Sequence, residues 1–213
     1  MQIINSHQKA LYNHLKQKGW NHEVISAYLK YERNKKSIIH TKRITLGTDS
    51  QKTKTYKAEW AFEAKCKNDI IDFDDLKEAE KFMKRVINSK TWLQLCGGLG
   101  RRIPILETNG FRGKTAGRAF VNKIQLCPKN GMNSYTLLHE LAHVAGYMHH
   151  DVGFRICLLK LVSRFIGRKP ADELKKQFKA LKLKVTISNH IKSPEQWLKT
   201  YERLENARAA RAA

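Results

Sequence analysis

The chain has 213 residues, 41% of them hydrophobic, and sets 41 Lys and Arg against 19 Asp and Glu for a formal net charge of +22. That length and apolar share suit one folded domain with extensions. No run of about 18 apolar residues and no basic start followed by an apolar block is present, which argues against a membrane span or a secretory signal and for a cytoplasmic location. So large a charge excess attracts polyanions by counterion release, and nucleic acid, DNA first, is the expected partner.

In chain order, His7 to Tyr31 places Leu11, Leu15, Val24, Ile25, Tyr28 and Leu29 at helical spacing about Gly19 and reads as two short helices. Ile38 to Leu46 and Thr53 to Ala64 alternate β-branched and aromatic residues around Gly47-Thr48-Asp49-Ser50, which predicts a hairpin. Lys30, Arg33, Lys35, Lys36, Lys42, Arg43, Lys52, Lys54 and Lys57 make this stretch strongly basic. Tyr31, Tyr56, Trp60 and Phe62 lie among them, either to stack on bases or to serve as strand core. Asp74 and Asp75 open a helix through Val86 that buries Leu76, Ala79, Phe82, Met83 and Val86. Cys96-Gly97-Gly98-Leu99-Gly100 fits no phosphate loop and reads as a turn before a strand from Ile103 to Glu107. A basic loop through Asn109-Gly110 and Arg112-Gly113-Lys114 leads to a strand from Arg118 to Leu126.

The most specific chemistry lies in His139-Glu140-Leu141-Ala142-His143. Helical residues four apart share a face, so both imidazoles can grip one metal ion while Glu140 points to the same open side. Leu137, Leu138, Leu141, Ala142 and Ala145 supply the buried stripe of such a helix, and Gly146 offers its stop. A hydrolytic zinc site keeps three protein ligands, so His149 or His150 just beyond is the expected third. The plain alternative is a pair of hydrogen-bonded core histidines, against which a neighbouring acid counts because it is costly to bury without a cation. Asp151 reads as the cap of a helix from Val152 to Ile166, or else as the partner of a ligand imidazole. Arg118, Tyr135 and Arg155 are candidate oxyanion donors.

Thr115-Ala116-Gly117-Arg118-Ala119, Ile124-Gln125-Leu126-Cys127-Pro128, the H-E-x-x-H motif and His150-x-x-x-Phe154, spanning about Phe73 to Phe165, together resemble the core of the SprT-like zinc metallopeptidases and related small phage-associated metallohydrolases. The resemblance implies an α+β fold with a minimal zincin-type core, in which a small antiparallel or mixed sheet packs on the metal helix. It implies His139, His143 and His150 as ligands of Zn2+, with His149 ranked second to His150, and Glu140 as the general base. The strand ahead of the metal helix would line the cleft and pair with an extended substrate. For a phage-borne protein it raises host proteins, in the host cytoplasm, as substrates. The chain departs from the family at Asp151, where glycine or serine is common, and in having no cysteine-rich zinc ribbon after the metal helix.

Beyond Phe165, Gly167-Arg168-Lys169-Pro170 reads as a linker or turn, followed by a helix from Ala171 to Leu181, a short strand from Lys184 to Ile187, and a helix from Pro194 toward Arg208. Lys169, Lys175, Lys176, Lys179, Lys182 and Lys184 make this a second basic module. Cys66, Cys96, Cys127 and Cys157 are too dispersed for a metal knuckle and read as free buried thiols, two disulfides being the alternative. The expected organisation is a basic N-terminal extension of short helices plus hairpin (1–68), the metallopeptidase core (69–168) and a basic helical C-terminal extension (169–213). The expected function is a zinc metallopeptidase acting on nucleic-acid-associated proteins, and the competing one a non-catalytic, zinc-stabilised nucleic-acid or protein-binding module. Glu140 separates the two, since a structural zinc site has no use for a general base.

Overall fold

Gly19 divides helix α1 (Ser6–Gln17) from α2 (His22–Lys35), as the spacing of the apolar residues predicts. Asn21 caps α2 by accepting from the Val24 amide at 2.9 Å and also bonds Asn88, tying this pair to the end of a later helix. The computed structural model describes residues 6–35, 49–96, 103–111, 113–120 and 123–185. Among them the chain is α+β, with eight α-helices and one three-stranded mixed sheet.

The predicted strand from Thr53 to Ala64 is instead part of helix α3 (Lys52–Lys65). Its buried residues, Thr55, Ala58, Glu59 and Phe62, recur at helical spacing, which the alternation of Tyr56, Ala58, Trp60 and Phe62 hides. Phe62 is fully buried whereas Trp60 is 55% exposed, so these two rings are not on one strand face. The partner strand from Ile38 to Leu46 lies outside the described residues, as does the Gly97 to Gly100 turn.

Helix α4 (Leu76–Ile87) begins where its acids predict: Asp75 accepts from the Glu78 amide at 2.9 Å, and Glu78 reaches back to the Asp74 amide. A short helix that the sequence reading passed over, α5 (Lys90–Leu95), is capped by Ser89 and buries Trp92 and Leu95. The predicted strand from Arg118 to Leu126 is broken into β2 (Gly117–Ala119) and β3 (Lys123–Leu126), which pair antiparallel, with the Phe120 amide bonded to the Lys123 carbonyl at 2.7 Å. Strand β1 (Ile105–Thr108) joins β3 in parallel, giving the order β1-β3-β2.

Helix α6 (Ser134–Val144) carries the motif through the middle of the molecule, with every residue but His143 buried. Asn133 caps its start, accepting from the Thr136 amide at 2.8 Å. Its end is a Schellman turn: Gly146, at φ 106°, bonds the His143 carbonyl and Tyr147 bonds that of Ala142. Helix α7 (Val152–Phe165) follows, and α8 (Arg168–Ala180) starts earlier than predicted, with Pro170 inside its first turn where a missing amide hydrogen costs nothing. Lys184 and Val185 are not a strand, and the chain beyond Val185, including the predicted last helix, lies outside the described residues.

Helix α8 packs on α3 and α7 through Leu174 and Phe178, and Lys65 of α3 meets Glu173 at 2.9 Å. One apolar cluster runs from Leu15 through Phe62, Leu138 and Leu158 to Val185. All four cysteines are buried and none is in a disulfide among the described residues. No helix among the described residues is long and apolar enough to cross a membrane.

Candidate metal centre

Three imidazoles converge. His139 and His143 project from one face of α6, and the Schellman turn reverses the chain so that His150 comes back against them; their ligand atoms all lie within 4.8 Å of one another. Phe154, one turn into α7, packs beneath all three rings at centroid distances of 4.9, 4.7 and 4.7 Å. That places the Phe of the His150-x-x-x-Phe154 pattern as the floor of the cluster. Asp151 is the helix cap, accepting from the Phe154 amide at 3.0 Å, and His149 stands outside the cluster.

The outer nitrogen of each ring meets an oxygen. His150 Nδ1 lies 2.6 Å from Asp49, His139 Nδ1 3.2 Å from Glu59, and His143 Nδ1 2.7 Å from the Tyr147 carbonyl. Such partners hold the proton on Nδ1 and turn the lone pair of Nε2 inward. A tetrahedral ion at about 2.0–2.1 Å from its nitrogens would separate them by roughly 3.3 Å. His139 Nε2 and His150 Nε2 are 3.3 Å apart. The cluster therefore fits a metal ion in spacing and tautomer.

Charge points the same way. Asp49, Glu59 and Glu140 crowd the imidazoles, and among the described residues no Lys or Arg forms an ion pair with any of them. Glu59 is buried, and among the described residues its Oε1 has no partner in hydrogen-bonding geometry, although the buried Tyr135 hydroxyl acts on the same carboxylate; an acid so placed is costly unless a cation is near. Burial works against the imidazolium of His139, yet Glu59, with help from Glu140 and Glu63, lifts its pKa from 6.5 to about 9. Burial and the neighbouring His139 push His143 and His150 down, so both favour the neutral form that binds metals.

Glu140 sits beside the cluster at 5% exposure. Burial, with Glu59 nearby, raises its pKa from 4.5 to about 7, although His139 and the Ala119 amide favour the carboxylate. Strand β2 is the end strand of the sheet, and Gly117 and Ala119 on it face this acid. Of the candidate oxyanion donors, Arg118 is exposed on β2 with its guanidinium 4.6 Å from the Phe111 ring centre. Tyr135 is buried against Phe62. Arg155 is engaged elsewhere, donating from Nη1 to the His150 carbonyl at 2.6 Å and to Gln51 at 2.7 Å and from Nε to the Lys184 carbonyl at 3.1 Å. It braces the backbone of the third imidazole.

Sequence reasoning missed Asp49 and Glu59. The first carried no signal, because it meets His150 across 101 positions. The second had one: read as a helix, the stretch sets an acid on the same face as Thr55 and Phe62. Comparison of the chain with protein-family models, curated proteins and solved structures finds no match in any of the three.

Proposed function

We propose that the chain is a zinc-dependent metallopeptidase that hydrolyses peptide bonds in proteins associated with nucleic acid. The observation that carries this reading is Glu140: a buried carboxylate held between the imidazole cluster and the end strand, where a purely structural ion would need none. In this reading β1, β2, β3 and α6 make up the zincin-type core of a SprT-like enzyme.

His139, His143 and His150 would hold the ion, and an all-imidazole donor set suits zinc. When bound, zinc polarises a substrate carbonyl and brings the pKa of a coordinated water to about 7. Glu140, beside the cluster, takes a proton from the attacking water as the oxygen bonds to the carbonyl carbon. It then hands that proton to the departing amide nitrogen as the C–N bond breaks, and returns to carboxylate. The outer edge of β2 offers backbone donors and acceptors to an extended peptide beside this acid.

The net charge of +22 supports recruitment to DNA. Lys52, Lys54, Lys57 and Lys65 are exposed on α3 with Trp60, and Lys169, Lys176 and Lys179 are exposed on α8. The test is zinc content together with cleavage of a DNA-binding protein, with and without DNA, for the native chain and Glu140→Gln. The reading expects about one zinc in each and cleavage by the native chain alone. Zinc in both with cleavage by neither would favour the non-catalytic binding module; no zinc in either would overturn the reading altogether.

A further inference from the structure

Two acids ahead of the motif reach the imidazoles from outside. Asp49 grips the third ring twice, accepting from the His150 backbone amide at 3.1 Å and approaching Nδ1 at 2.6 Å. Thr55, on the first turn of α3, donates to the His150 carbonyl at 3.3 Å, so one short segment holds the backbone donor and the backbone acceptor of His150 together with its ring. Further along α3, Glu59 meets His139 Nδ1. The same helix sets Tyr56 edge-on against His150 at 4.8 Å.

We propose that Asp49 and Glu59 are the positioning carboxylates of the metal centre, so that the segment 49–65 is a wall of the site and sets its affinity for the ion. The inference rests on the metal-site reading above. A ligand imidazole whose outer N–H is held by a carboxylate is fixed in tautomer and orientation and is a more basic donor. Each carboxylate also offsets part of a divalent charge, and Glu59 does so from a site where water cannot. Asp49 further decides which of two adjacent histidines turns inward: its bonds go to the amide and ring of His150, and His149 is left outside. The third imidazole hangs on a turn, between Gly146 and the cap Asp151, and without this grip its ring would keep the packing of Phe154 and Tyr56 and its carbonyl the bonds from Arg155 and Thr55, none of which holds Nδ1.

The test uses the full chain, stripped of metal and titrated with Co2+, read by its visible absorption, with zinc affinity obtained by competition against a chelating dye. Asp49→Asn and Glu59→Gln keep the shape of each side chain and remove its charge. The expected result is one ion per chain in every protein, about tenfold weaker affinity in each variant, roughly a hundredfold in the pair, and an altered cobalt spectrum. Circular dichroism and the melting temperature without metal show whether each variant is folded, and Asp49→Glu should recover part of the lost affinity. Native affinity and a native spectrum in both folded single variants would overturn the proposal while leaving the metal site in place. A native chain that binds neither Co2+ nor Zn2+ would overturn both.

Discussion

A Cβ on Gly117 would lie 2.7 Å from Glu140 Oε1, so the end strand and the acid on α6 occupy interlocking space. The close approach is possible only because residue 117 has no side chain. The atoms that an alanine would meet are Cγ, Cδ and Oε1 of the buried Glu140, so that side chain must shift as a whole to make room. Gly117→Ala should therefore fold with a loss of roughly 1–3 kcal/mol in stability and bind zinc normally. Proteolysis should fall about 100-fold, since the acid no longer sits where it can take the proton of the attacking water. Thermal melts, zinc titration and kcat/KM on one sample separate these effects.

His150 is the inward-facing member of the His149-His150 pair. His150→Ala should abolish stoichiometric zinc binding and His149→Ala should leave one zinc per chain, as measured by elemental analysis after dialysis. The reverse pattern would show that the turn can seat the other ring.

Phe154 is wholly buried and touches all three imidazoles. Truncation to alanine removes core volume and the floor on which the rings rest. Phe154→Ala is expected to cost about 3–5 kcal/mol of folding stability. Its zinc affinity should also drop. Denaturant unfolding with excess chelator isolates the first effect, and titration of the folded fraction reports the second.

Glu63 lies one turn after Glu59 on α3, and burial followed by that neighbouring charge raises its pKa from 4.5 to about 7. The folded pKa is the higher, so the stabilisation from keeping Glu63 protonated is complete below about pH 4.5 and is lost as pH rises to about 7. Glu63→Gln removes this dependence. Relative to the variant, the native chain should lose roughly 2–3 kcal/mol between pH 4.5 and 8. Parallel urea titrations at both pH values give that difference.

Much of the local structure was legible in the chain. The caps Asp75 and Asp151 and the stop at Gly146 all act within a few residues, so their chemistry shows in short windows of sequence. The pairing of His139 with His143 and the placing of Glu140 follow from helix geometry alone, because residues four apart must share a face. Helix α3 was misread for an equally local reason. Its apolar residues follow a period of two by accident, and packing against α8 selects the face that carries Thr55, Glu59 and Phe62.

By itself, then, the sequence determined the motif helix, the two imidazoles that share its face, the acid between them and the excess of positive charge. The tertiary structure alone decided which histidine completes the cluster, which carboxylates hold its rings, that Arg155 braces a backbone, and that Gly117 clears room for Glu140. The division has a physical cause. Turns and helix faces are set by neighbours along the chain, whereas the partner of a buried imidazole is whichever oxygen the packing of distant segments brings within hydrogen-bonding reach, here Asp49 across 101 positions.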